Sequence, residues 1–277
     1  MLFVCFGFMN IFRKLFKKKK KTLGIALGSG GSKGMALIGI LRAFDEEDIS
    51  FDFVAGTSIG SVVGAMYAAG YSSASMVGYL NEINLFALTN LVKYTLAGKT
   101  VEGVFDDVVG GSTFEDLSLP YAAIAADLKT GEQAVIKSGK VSKAMRASSA
   151  VPPMLKPVEI DGRMLVDGAC VNSVPSDVVK SMGADFVIGV NLSADDPTNV
   201  KMKTTLDEKY PGHGVKFCDR FTAGRKFSDY LLEPDLKNYS SATISKAKLQ
   251  EMYETGYELA KAKMPEIKAL LKKKKII

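Results

Sequence analysis

Two units of the same kind follow one another between residues 22 and 70, and they restrict the fold more than any other feature of the chain. TLGIAL is a short apolar run, GSGGSKG a glycine-rich turn, and MALIGILRAFDEE carries apolar residues at helical spacing. FDFVA then reads as a second strand, GTSIG as a tight turn, and SVVGAMYAAG as an alanine-rich helix closed by Gly70. Strand, turn and helix repeated at once imply parallel strands joined by crossover helices. The chain has 277 residues, 47% of them hydrophobic, which suits one α/β domain with a full core rather than two.

The rest of the chain continues the pattern. Residues 72 to 105 have a helical composition. YAAIAADL and EQAVIKSG, separated by a K-T-G turn, read as paired strands. VSKAMRASSA is a short helix stopped by Pro152 and Pro153, and KPVEI, D-G and RMLVDGA read as a hairpin. SDVVKSMG is a helix with Gly183 as its C-cap, and ADFVIGVNL is a buried strand. Residues 193 to 234 are polar and irregular and read as a surface insertion or lid-like segment. Residues 241 to 271 are helical again, with a break or kink expected near Pro265.

Charge separates the ends from the body. Residues 1 to 21 hold seven Lys/Arg and no Asp/Glu, so taking them from the net +6 leaves −1, and taking Lys272 to Lys275 as well leaves −5. A nucleic-acid surface needs cations spread over a face of the domain, so the pattern argues against that partner class. MLFVCFGFMNIFRKLFKKKKK has its apolar part before its charges, the reverse of a signal peptide, and that part is too short to span a bilayer. Two readings stay open: an interfacial segment holding an anionic leaflet at roughly 1 kcal/mol per basic residue, or a solubilising tail. Cys5 offers a weak lipidation site, and Met9 an alternative start. Cys5, Cys170 and Cys218 form no C-x-x-C, so neither a disulfide framework nor a thiolate zinc site is indicated, and a reducing compartment is the default.

The chemistry rests on two matches to G-x-S-x-G: Gly56, Ser58 and Gly60 in GTSIG, and Gly30, Ser32 and Gly34 in GGSKG. A nucleophile elbow needs a strand feeding a helix through a strained turn, with small residues relieving the crowding, and FVA-GTSIG-SVVGA supplies each part. The competing reading is a plain strand-to-helix turn with Ser58 as an N-cap. GSGGSKG fits neither the dinucleotide fingerprint, since Lys33 stands where the third glycine belongs, nor the P-loop, since its lysine precedes its glycine. It fits an oxyanion loop, with unobstructed amides at a helix N-terminus and Lys33 bracing the loop or adding positive potential; a simple tight turn is the alternative. For the base, His213 is the chain's single histidine and lies between glycines in P-G-H-G. Asp167 ends an apolar strand, with Gly168 permitting close approach; D-G is also a common turn, so spacing leaves the choice open.

GSGGSKGMALIGIL, GTSIG and VDGA, in this order and at these separations, resemble the motifs of the patatin-like phospholipases over about residues 22 to 192, and EPDLKNYS with the following helix is similar to the end of such domains. The resemblance implies a three-layer α/β/α fold with a mostly parallel central sheet and a Ser-Asp dyad that uses no histidine. By motif position Ser58 is then the nucleophile and Asp167 its partner. Gly30 and Gly31 supply oxyanion amides, Lys33 takes the place of the family's usual arginine, and Gly34, Gly56, Gly60 and Gly168 support the site. Two positions depart from the family: Ser29 stands where its first loop glycine often is, and Ala169 replaces a second glycine after Asp167.

The expected organisation is a basic and apolar tail over 1–21, a single hydrolase domain over 22–271 (motif core 22–192, helical part 241–271) and a basic tail over 272–277. The expected function is acyl-ester hydrolysis on lipids without metal or cofactor, in the cytoplasm, with residues 1–21 in peripheral contact with the inner face of the membrane. The alternative is a non-catalytic membrane-associated regulatory protein that keeps the fold.

Overall fold

A computed structural model describes residues 21–83, 100–152, 154–192, 198–216 and 222–277. Residues 1–20 of the N-terminal tail, and with them Cys5 and Met9, therefore lie outside the described residues, as do 84–99 of the helical stretch, Pro153, and 193–197 and 217–221 of the polar stretch with Cys218. The first unit is β1 (Leu23–Leu27), a 3-10 turn (Gly31–Gly34) and α1 (Met35–Asp45); the second is β2 (Phe53–Thr57) and α2 (Ile59–Ala68). Helices α3 (Ser73–Ile83) and α4 (Val101–Val109) follow, then β3 (Tyr121–Asp127), β4 (Gln133–Ile136), α5 (Val141–Ser148) and the hairpin β5 (Val158–Ile160) and β6 (Arg163–Asp167). The chain continues through α6 (Ser176–Met182), β7 (Phe186–Val190), α7 (Thr198–Lys209), α8 (Thr222–Phe227), β8 (Tyr230–Leu232) and α9 (Lys246–Lys274).

The strands form one sheet in the order β5-β6-β3-β2-β1-β7-β8, with β4 also paired to β3. Pairs β1–β2, β1–β7, β2–β3 and β7–β8 are parallel, while β4, β5 and β6 add antiparallel pairs. Side chains alternate across this sheet, as pleating requires. Leu23, Ile25 and Leu27 of β1 and Phe186, Ile188 and Val190 of β7 join the larger core with α1, α2 and α9, whereas Ala26, Ala55 and Val187 face α6 through Val178 and Val179. Both faces are thus covered by helices, which gives three layers. Burying a side chain such as Phe44, fully enclosed in the larger core, contributes roughly 1.5–3 kcal/mol.

Two expectations are corrected. Of the break or kink expected near Pro265, the break is overturned: α9 continues past Pro265, which sits inside it, while Met264, Ile267 and Leu271 hold that stretch in the core. The 193–234 stretch contains α7, α8 and β8 rather than being irregular throughout. Gly183 does close α6, at φ 114°.

One feature of the sheet positions the site. Strand β2 pairs with residues 121–124 of β3 and β4 with 123–126, so these two must lie on opposite edges. Strand β6 pairs with 125–127, which overlap the β4 register, so it shares the β2 edge. The two strands therefore meet end to end: β2 arrives at Thr57 opposite Ile124, and β6, running the other way, arrives at Asp167 opposite Ala125.

Candidate active site

The junction of β2 and β6 brings Ser58 and Asp167 together. The Ser58 hydroxyl donates to Asp167 Oδ2 at 2.6 Å, and both residues are buried, at 9% and 1% exposure. Ser58 adopts φ 56°, ψ −124°, which for a residue with a side chain costs on the order of 1–3 kcal/mol. It occupies the N-cap position of α2 yet makes no capping bond, because its hydroxyl is turned to the carboxylate. That separates it from the plain N-cap serine that the sequence allowed.

Glycines make the turn possible. A Cβ on Gly56 would lie 2.1 Å from the Gly60 carbonyl oxygen, and one on Gly60 2.1 Å from that of Leu27. A Cβ on Gly168 would meet Ile124 O at 2.4 Å, so only a glycine lets the Asp167 turn lie against β3. Gly34 packs against Ile59 in the same manner, joining the first loop to the elbow. Beneath, the Tyr121 hydroxyl donates to Ser61 O at 2.7 Å, and burial pushes its phenol well above the ordinary tyrosine value.

Asp167 is held on its second oxygen too, since Ala169 N–H donates to Oδ1 at 2.8 Å. That bond uses the backbone of residue 169, which explains how alanine serves where the family often has glycine. Cys170 is buried behind, its thiol donating to Asp167 O at 3.0 Å.

The loop after β1 comes from the neighbouring strand end. In it Gly28 N–H donates to Val190 O, Ser29 N–H to Ser173 O, Ser32 N–H to Ser241 O and Lys33 N–H to Gly30 O. Between them the amides of Gly30 and Gly31 have no acceptor among the described residues. Two successive free donors at a helix start suit an anionic oxygen. Gly31 has φ 56° and no room for a Cβ, which would strike Ser241 O at 2.2 Å. Lys33 is buried at 5% exposure. The Ser29 hydroxyl lies 2.6 Å from that of Ser173, and Thr57 Oγ1 donates to Asn172 O at 2.9 Å. The segment after Asp167 is thereby tied both to the loop and to β2, and Ser29 fills the glycine position with a bond of its own.

His213 sits elsewhere in the hydrogen-bond network. Its Nδ1 accepts Val215 N–H at 3.1 Å, so Nε2 carries the proton and donates to Asp207 Oδ1 at 3.0 Å. Lys203 first, and His213 second, hold the Asp207 carboxyl below its ordinary value. Among the described residues no group of three or more His, Cys, Asp or Glu is placed to hold a metal ion.

The family model for patatin-like phospholipases matches residues 25–180, more than half of the chain and a range that includes the three motifs. The chain belongs to the patatin-like phospholipase family. Among its relatives, patatin-like phospholipase domain-containing protein 6 of Homo sapiens is 32% identical over 196 residues, covering 65% of this chain and 14% of that protein. Lysophospholipase NTE1 of Scheffersomyces stipitis is 27% identical over 299 residues, covering 92% of this chain and 19% of that protein. The patatin-like chain thus spans less than a fifth of the length of these two curated relatives. In fold it resembles VipD from Legionella pneumophila, with a TM-score of 0.54 at 12% identity over 87% of this chain and 66% of that one.

Several contacts of this patatin-like site carry no signal in the sequence. Ser148, Ser173, Asn172 and Ser241 look like ordinary turn and cap residues, and only tertiary pairing brings them to the loop and the elbow.

Proposed function

We propose that the chain is a serine hydrolase that cleaves acyl esters of lipids, of the phospholipase A or lysophospholipase type, through a Ser58-Asp167 dyad. The observation that carries this reading is the 2.6 Å hydrogen bond from a strained, uncapped Ser58 to a buried Asp167. Ser58 Oγ attacks the ester carbonyl carbon while its proton passes to Asp167 Oδ2. A carboxylate is a weak base in water, so proton transfer runs in concert with attack, in a site from which water is largely withdrawn. The amides of Gly30 and Gly31 receive the oxyanion; a single donor of this kind contributes roughly 3–4 kcal/mol in other hydrolases. Collapse expels the alcohol, which takes the proton from Asp167. A water then attacks the acyl-enzyme, gives a proton to Asp167, and the fatty acid leaves as Ser58 recovers its own.

Family membership and the names of the relatives support lipid esters as the substrate class. The working domain is proposed to run from 22 to 271, in the cytoplasm, with residues 1–21 contacting an anionic inner leaflet. Among the described residues no helix is long and apolar enough to cross a membrane. The test is turnover of short p-nitrophenyl esters and of a lysophospholipid panel with products identified by mass. Wild type is expected to release fatty acid and Ser58→Ala to be inert; a well-folded wild type inert on the whole panel returns the non-catalytic alternative.

A further inference from the structure

The parallel ladder between β2 and β3 has a regular rhythm. Val54 N–H donates to Pro120 O, and each rung of this sense advances two residues on both strands. Gly56 N–H therefore faces Ala122 O, and the next donor and acceptor in line are Ser58 N–H and Ile124 O. A side chain stands between those two groups. The hydroxyl of Ser148, fully buried at the end of α5, accepts Ser58 N–H at 2.9 Å and donates to Ile124 O at 2.6 Å.

We infer that Ser148 is a positioning residue that replaces the last rung of the β2–β3 ladder and so sets the nucleophile elbow. The inference rests on the hydrolase reading given above. Its hydroxyl acts as a spacer: hydrogen bonding passes through it, while the Ser58 amide is kept away from the β3 carbonyl. A direct rung would draw Ser58 towards extended backbone, whereas the spaced rung lets it hold φ 56° with Oγ on Asp167. Ile124 is also the residue at which the β3 edge passes from β2 to β6, and the Gly168 turn packs on its carbonyl. One hydroxyl therefore registers the nucleophile against the strand that carries its base. Without it, Ser58 N–H and Ile124 O either close directly or stay buried without partners, and both outcomes move Oγ off the carboxylate.

Ser142 provides a matched control, being a buried serine on the same helix whose hydroxyl donates to Asp106 Oδ1 at 2.7 Å. With a soluble p-nitrophenyl ester, Ser148→Ala is expected to lower kcat by about 100-fold with KM within about twofold, and to slow fluorophosphonate labelling in proportion. Ser142→Ala is expected to lose thermal stability while keeping kcat, and Ser148→Thr, which retains the hydroxyl, to recover part of the rate. Ser148→Cys, close in shape and poor in hydrogen bonding, replaces the alanine variant if that does not fold, with the same loss expected. A folded Ser148→Ala or Ser148→Cys enzyme with kcat within about threefold of wild type overturns the inference, as does an equal rate loss in Ser142→Ala. A wild type that neither turns over ester nor takes label overturns the hydrolase reading and this inference with it.

Discussion

Asp167 spends both carboxylate oxygens on the site, Oδ2 on the Ser58 hydroxyl and Oδ1 on Ala169 N–H. Asp167→Asn keeps the shape and removes the proposed base. It is therefore expected to cut kcat by about 10²- to 10⁴-fold, the usual contribution of a general base, with the thermal midpoint nearly unchanged. His213 has both ring nitrogens engaged, by Val215 and Asp207. His213→Ala is accordingly expected to leave kcat on a soluble ester within about twofold of wild type and to lower stability by about 1 kcal/mol. Side-by-side kinetics on the two variants check both statements, and a large rate loss in the histidine variant would restore a triad. Ser58 and Asp167 were legible from their motifs once the family pattern was recognised. The Ser29–Ser173 pair was not, because a serine in a loop carries no mark of the partner 144 positions away.

At the scale of elements, the elbow is a close-packed crossing of β1, β2 and α2 that depends on backbone touching backbone. Gly60→Ala is expected to destabilise the protein by roughly 2–4 kcal/mol, since the new Cβ would overlap the Leu27 carbonyl. Urea unfolding checks this, and an unchanged midpoint would contradict it. The strand-turn-helix repeats, the β3–β4 pair and the β5–β6 hairpin could be read in advance because their signals are local: apolar runs, D-G and K-T-G turns, and glycine caps. What could not be read is the end-to-end meeting of β2 and β6 on one edge of β3, which depends on pairing between distant segments. Helix α7 is unmarked in the sequence for another reason. Lys203, Asp207, Glu208 and Lys209 are exposed while Leu206 alone is buried over 203–209, so there is no apolar stripe for a periodicity to find. Pro265 does not end the helix because a proline's cost is local, whereas the packing of Met264, Ile267 and Leu271 is set by the whole of α9.

Over the whole molecule, α9 joins the site to the far end of the domain. Ser240 and Ser241, just before it, brace the Ser32 loop, and its 29 residues extend about 43 Å to Lys274. Near that far end Lys268 pairs with Glu47, beyond the close of α1, and Ile276 returns to the core. Strand β1 also enters there, where Thr22 bonds Asp185. Thr22 thus enters the domain at the end opposite the elbow, so the proposed membrane contact of residues 1–21 and the proposed ester chemistry can be tested apart. Deleting residues 1–21 is expected to weaken binding to anionic liposomes by at least about 100-fold, since seven basic residues are removed at roughly 1 kcal/mol for each that lies near the surface, and to leave kcat on a soluble ester unchanged. Liposome sedimentation at low and high salt checks the first half, and equal binding by both forms would contradict it. The proposed chemistry turns on which serine reacts. Fluorophosphonate labelling followed by peptide mass mapping is expected to place the adduct on Ser58, to lose it in Ser58→Ala and to keep it in Ser32→Ala; an adduct that follows Ser32, or none on a folded wild type, would contradict the account.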